Sequence, residues 1–144
     1  MYPSKKILRV IDANVNRCKE GLRVVEDIFR YVIEDDDLRK QTRRIRHSID
    51  RVIKSADLRI RLITSRDSKS DLGKEVDVLE IKRKNIPQIF HVNLQRAQES
   101  LRVLEEFFKL IDANKVKIVK KQRYEVYQIE KDALKQWASL RHFR

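Results

Sequence analysis

Glycine and proline are scarce, with two of each in 144 residues. A β sandwich or barrel needs many more turn residues than that, so the scarcity excludes that class and favours long helices. Cysteine occurs once, at Cys18, which rules out an internal disulfide and a metal site built from cysteines alone. No apolar run approaches the roughly 20 residues that cross a bilayer. The opening MYPSKKILRVID has no hydrophobic core followed by a cleavage site, so no secretory signal is expected. A reduced, cytoplasmic setting with no membrane contact follows as the expectation. GxxxxGK[ST], GxGxxG, HExxH and GxSxG are all absent, which excludes a P-loop and a Rossmann phosphate site among others.

Charge is abundant. The 34 Lys and Arg against 22 Asp and Glu give a net charge of +12. Such a balance favours anionic partners: nucleic acid, phosphorylated metabolites or an acidic surface. The length suits one domain with a real core.

One stretch occurs twice. NVNRCKEGLRVVEDIFR begins at Asn14, and NLQRAQESLRVLEEFFK begins at Asn93, in gapless register 79 residues on. Identities fall at Asn14/Asn93, Arg17/Arg96, Glu20/Glu99, Leu22/Leu101, Arg23/Arg102, Val24/Val103, Glu26/Glu105 and Phe29/Phe108. A repeat kept only for packing would share its apolar spacing, yet five of these eight are polar or charged.

Periodicity predicts a first helix from a Ser4 cap to about residue 33, with Ile7, Ile11, Val15, Cys18, Leu22, Val25, Phe29 and Val32 inward. The Asp35-Asp36-Asp37 run ends it and suits the start of a second helix over about 38–55. That helix turns Leu38, Ile45, Ile49, Val52 and Ile53 inward and a basic face outward, Arg46 included. LRIRLI, from Leu58, is compatible with a short strand or with a helix running on. Residues 65–77, rich in Ser and Asp, read as a loop. A third helix over about 87–111, capped by Asn85, copies the first, and a fourth covers about 115–140. In it Arg123 corresponds loosely to Arg46. IDAN at Ile11 and again at Ile111 is out of register with the repeat and reads as coincidence. The expected architecture is one all-α domain, 1–144. Two helical hairpins, about 5–56 and 87–140, are joined by 57–86 and related by a pseudo-twofold axis.

Asn14, Arg17, Glu20, Arg23 and Glu26 are spaced by threes, so the ridge slips back about 60° per step across the helix surface. Asn14 starts in the apolar face, Arg17 and Glu20 lie off one edge, Arg23 is nearly opposite, and Glu26 returns on the other flank. Asn93, Arg96, Glu99, Arg102 and Glu105 repeat the geometry. As plain i,i+3 ion pairs these residues would each contribute only ~0.2–0.5 kcal/mol. As a shared site, carboxylates could hold Mg²⁺ and guanidinium groups could clamp phosphates. Gly21 costs roughly 1 kcal/mol inside a helix and points to a close helix crossing first and to close approach of a ligand second. In the loop, Arg66, Asp67, Asp71 and Gly73 form RDxxxDxG, two carboxylates and an arginine beside a glycine able to adopt φ > 0. His47 alone is weighed as a packing or surface residue before a catalyst.

Taken together, DANxNRxxEGLRVxED, the Arg46-His47 pair, the RDxxxDxG loop and NxxRxxESLRVLEE resemble the hydroxymethylpyrimidine-phosphate kinase family of thiamine biosynthesis. Members are small helical domains found alone or fused ahead of thiamine-phosphate synthase, and are often labelled as that synthase. The resemblance spans nearly the whole chain, without the synthase barrel. It implies ATP-dependent phosphorylation of hydroxymethylpyrimidine phosphate to its diphosphate, with ATP and Mg²⁺. Glu20, Glu99, Asp67 and Asp71 would then be the catalytic or Mg²⁺-holding acids. Arg17, Arg23, Arg46, Arg66 and Arg96 would hold phosphates, and Asn14, Asn93 and Gly73 would meet the pyrimidine or a phosphate. Functional coupling to thiamine-phosphate synthase, and a homodimer, are compatible with it. The rivals are a basic nucleic-acid-binding protein, which the mixing of Glu with Arg in the repeat argues against, and a non-catalytic partner domain of the synthase.

Overall fold

The computed structural model describes residues 4–74 and 82–143. Helix α1 (Lys5–Asp27) starts where Ser4 Oγ accepts the Ile7 amide at 3.2 Å. It runs into a π-helical turn, Ile28–Ile33, which ends at Glu34 in the left-handed conformation, φ 59°. The wider turn shifts the inward face by one position. Phe29 stays fully buried and Ile33 packs on the core, while Val32, expected inside, is half exposed.

Asp35 then caps α2 (Asp36–Val52), accepting the Leu38 amide at 3.0 Å. The five expected apolar residues of this helix are buried. Arg46 departs from the expected outer face because Glu26 draws it inward. LRIRLI is not a strand: it lies in a short helix, α3 (Ala56–Thr64), capped by Ser55 and packed on α1. Residues 65–74 form turns, and the remainder of the expected loop, 75–77, lies outside the described residues. Helices α4 (Ile86–Phe108) and α5 (Ala113–Gln136) follow, capped by Asn85 and Asp112, with a 3-10 turn at Ala138–Leu140. The two IDAN copies part company here. Asp112 is a helix cap, whereas Asp12 is buried mid-helix.

Helices α1 and α4 pack against each other, α2 backs α1, α5 backs α4, and α2 meets α5, closing a four-helix bundle. The α1/α4 pair is antiparallel. Gly21 opposes Asn93 and Ala97, and Phe29 meets Phe90 edge-on at 5.5 Å between ring centres. A pseudo-twofold axis therefore crosses the pair near Cys18 and its equivalent Ala97, both fully buried. Two further bonds tie the hairpins: Gln122 Nε2 donates to Ser48 Oγ at 2.8 Å, and Trp137 Nε1 donates to Asp35 Oδ2 at 2.9 Å.

Candidate functional site

The repeated polar residues separate into three groups. Glu26 and Glu105 are buried, and each holds an arginine of the backing helix: Arg46 Nε at 2.8 Å and Arg123 Nε at 2.9 Å. The loose correspondence of Arg46 with Arg123 is thus a structural equivalence. Arg46 is engaged in a buried ion pair on the flank turned to α2, away from Arg17. Asn14 and Asn93 form the second group, each donating its amide to the carbonyl four residues back, Val10 or Ile89, at 2.8 Å. The third group, Arg17, Glu20, Arg96 and Glu99, is exposed. Arg23 and Arg102 are exposed too, with Asp27 at 3.7 Å from the first and Glu105 and Glu106 at 3.2 Å from the second.

A twofold relating antiparallel neighbours runs perpendicular to the plane of the pair, so equivalent residues emerge on the same side. Arg17 and Arg96 therefore share the face opposite α2 and α5. Two concave sites lie there. The first is a pair of adjoining hollows of about 280 and 260 Å³ that share Arg9, Ala13 and Asp71. Lys6, Asn14 and Arg17 line one hollow, and Asp12, Asn16, Arg66 and Asp67 line the other. The second site, about 410 Å³, is lined by Arg83, Val92, Gln95, Arg96 and Glu99. Four of these residues are the repeat equivalents of Ala13, Asn16, Arg17 and Glu20. His47 is exposed on α2 and lines neither site.

Arg66 closes the first site from the loop. It grips Asp12 with both ends of its guanidinium, Nε to Oδ2 at 2.5 Å and Nη2 to Oδ1 at 2.9 Å. This bond raises the arginine pKa still further, so Arg66 stays charged. The tether brings Asp67 and Asp71 over α1. Each uses one oxygen to fix the loop, Asp67 Oδ1 accepting the Ser70 amide at 3.1 Å and Asp71 Oδ1 the Gly73 amide at 2.8 Å. Gly73 does not take positive φ, and an added Cβ would make only ordinary contact, 3.5 Å from Asp71 Oδ1. Its expected conformational role is not used.

The four acids expected as one Mg²⁺ set do not assemble. Asp67 and Asp71 share a hollow, Glu99 lines the other site, and among the described residues no three His, Cys, Asp or Glu side chains come together as a metal cluster. Two carboxylates nevertheless fit the usual habit of Mg²⁺, which takes one or two protein ligands and completes its shell with phosphates and water.

Lys6, Arg9 and Asp12 were not singled out from the sequence, although a signal exists. Lys6 has no acid three or four residues away, and the only such neighbour of Arg9 is Asp12, which Arg66 occupies. Their charges are therefore uncompensated along the helix. Arg17 adds only a long 3.5 Å contact to Asn14 Oδ1.

No solved structure matches the chain. The chain is similar to proteins named thiamine-phosphate synthase. One from Synechocystis sp. is 36% identical over 129 residues, covering 89% of this chain and 36% of that protein. Those from Nostoc punctiforme and Rhodopirellula baltica are each 33% identical, over 89% and 86% of this chain. The chain thus spans about a third of the length of these relatives, 33% to 36%. The ThiD2 family profile matches residues 9–132, nearly the whole of the described bundle, and the chain belongs to the ThiD2 family.

Proposed function

We propose that this chain is a thiamine-biosynthesis domain that transfers the γ-phosphoryl group of ATP to hydroxymethylpyrimidine phosphate, giving the diphosphate. The observation that carries this reading is the row of cations Lys6, Arg9 and Arg17 set beside the loop carboxylates Asp67 and Asp71. Phosphoryl transfer requires positioning and charge neutralisation more than covalent help from the protein. In the reaction an oxygen of the acceptor phosphate bonds to the γ-phosphorus as the bond to the β–γ bridging oxygen breaks, and ADP leaves. A phosphate monoester with a second pKa near 6 is already a dianion at pH 7. No general base is then needed, which suits a site without a histidine. Arg17 and Arg96 hold the reacting phosphates from the two sides of the axis. Asp67 and Asp71 would hold Mg²⁺, which when bound would offset phosphate charge, and the Asp12–Arg66 tether keeps both acids in place.

Purified protein mixed with ATP, Mg²⁺ and hydroxymethylpyrimidine phosphate tests the reading, with the diphosphate measured directly. Arg17→Gln is expected to lower kcat/KM by roughly 10²-fold. A folded sample that forms no diphosphate overturns the proposal. A second reading, a non-catalytic partner domain of thiamine-phosphate synthase, is favoured by the names and extra length of the relatives. It predicts that the chain changes the turnover of added synthase while making no diphosphate itself.

A further inference from the structure

The two sites are related by the repeat but are not chemically equal. Arg17 and Arg96 correspond, as do Asn16 and Gln95. The residues in the repeat positions of Lys6 and Arg9 are Asn85 and Gln88, both neutral and both occupied with capping α4. Asn85 Oδ1 accepts the Gln88 amide at 2.9 Å, and Gln88 Oε1 accepts the Lys84 amide at 2.7 Å. The repeat position of Asp12 holds His91, which stacks on Phe143 with ring centres 4.1 Å apart and faces Glu130 at 3.9 Å. Among the described residues, the tethered acidic loop lines the first site and not the second. The duplication thus kept the central Asn, Arg and Glu and changed the charge around them.

From this asymmetry we infer that the sites divide the labour: the first half takes the polyphosphate donor, and the second half takes the aminopyrimidine monoester. The inference rests on the phosphotransfer reading and deepens it. A triphosphate carries several negative charges in a row, which match Lys6, Arg9 and Arg17 along α1 and a cation held between Asp67 and Asp71. The two adjoining hollows also offer an elongated path. The second site offers two cations, Arg83 and Arg96, beside Glu99, whereas the first offers Lys6, Arg9 and Arg17 with Asp12 already matched by Arg66 and with Asp67 and Asp71 free to share a cation with the phosphates. A single monoester is short enough to be met by Arg83 and Arg96. The 4-aminopyrimidine edge presents an N–H₂ donor beside a ring-nitrogen acceptor, which the Gln95 amide matches with its own acceptor and donor, and the Glu99 carboxylate accepts from the amine. Adenine presents the same edge, and the longer run of cations along α1, with the elongated pair of hollows, is what assigns it to the other half. Both phosphate ends then meet at the axis, between Arg17 and Arg96.

Calorimetric titration of the full chain with the Mg²⁺ complex of a non-hydrolysable ATP analogue, and separately with hydroxymethylpyrimidine phosphate, tests the assignment. Lys6→Gln with Arg9→Gln is expected to weaken the nucleotide analogue by about tenfold or more and to leave the pyrimidine phosphate within about twofold. Gln95→Leu is expected to do the reverse. These side chains are outside the core, and circular dichroism confirms that each variant is folded. Interchanged effects, or equal effects on both ligands, overturn the division while leaving the kinase reading intact if wild type still forms diphosphate. Separate binding at the two halves without any diphosphate formation upholds the division and overturns the kinase reading. Failure of wild type to bind either probe overturns both.

Discussion

Gly21 and Cys18 sit one turn apart at the helix crossing, and each has a measurable signature. A Cβ built on Gly21 would lie 2.8 Å from the backbone carbonyl of Asn93, which cannot rotate away. Gly21→Ala is therefore expected to lower stability even though alanine is the better helix former. Overpacking typically costs about 1–3 kcal/mol, against roughly 1 kcal/mol recovered in propensity. Denaturant midpoints for the two proteins check the sign. Cys18 is fully buried, and burial pushes its thiol from 9.0 up to about 12, only partly opposed by a hydrogen bond with Ser100. Its folded pKa is raised, so the associated stability is intact below pH 9.0 and is lost as pH rises from there toward about 12. At pH 10 the loss is roughly 1.4 kcal/mol. Unfolding of wild type compared with Cys18→Ala, at pH 8 and pH 10, isolates that share; equal pH dependence in both would refute it.

Among the helices, α1 and α4 were legible because long amphipathic periodicity and good caps agree at Ser4 and Asn85. A pseudo-twofold relation of the copies was expected from the repeat, and the structure adds that they pair antiparallel. The π turn was not legible: nothing in IFRYVI breaks the 3.6-residue count, and only the packed core decides that Ile33 and not Val32 faces inward. Nor did spacing distinguish Glu26–Arg46 from a surface pair, since the arginine comes from another helix. That pair gives a prediction at this scale. With side chains only 16% and 6% exposed, removing one partner leaves the other charge buried and unpaired. Arg46→Ala is expected to cost about 3–5 kcal/mol. Arg123→Ala should cost less, although that pair is 13% and 2% exposed, because Arg102 still reaches Glu105 at 3.2 Å. If Arg46 instead held substrate phosphate, Arg46→Ala would lower turnover at unchanged stability, so thermal melts and activity measured together separate the two roles.

At the scale of the molecule, the fold class and the twofold were readable, and the position of the site on one face of the α1/α4 pair was not. Residues that build it come from three places: Lys6 and Arg9 before the repeat begins, Asp12 at the head of the DANxNR stretch, and a loop anchored over α1. Only long-range contact joins them. Asp12→Asn should release the loop, raising KM for the Mg²⁺ nucleotide about tenfold or more while the melting temperature moves little, because Arg66, with 43% of its side chain exposed, can turn its charge to water. Steady-state kinetics beside a melting curve distinguishes this from general unfolding. The bond between Trp137 and Asp35 has a practical consequence of another kind. This is the only tryptophan in the chain, and its indole spans from the end of the second hairpin to the turn of the first. The fluorescence of the molecule therefore comes with a built-in gauge of whether its halves are together. Emission will report separation of the hairpins even when every helix remains wound and the circular dichroism is unchanged.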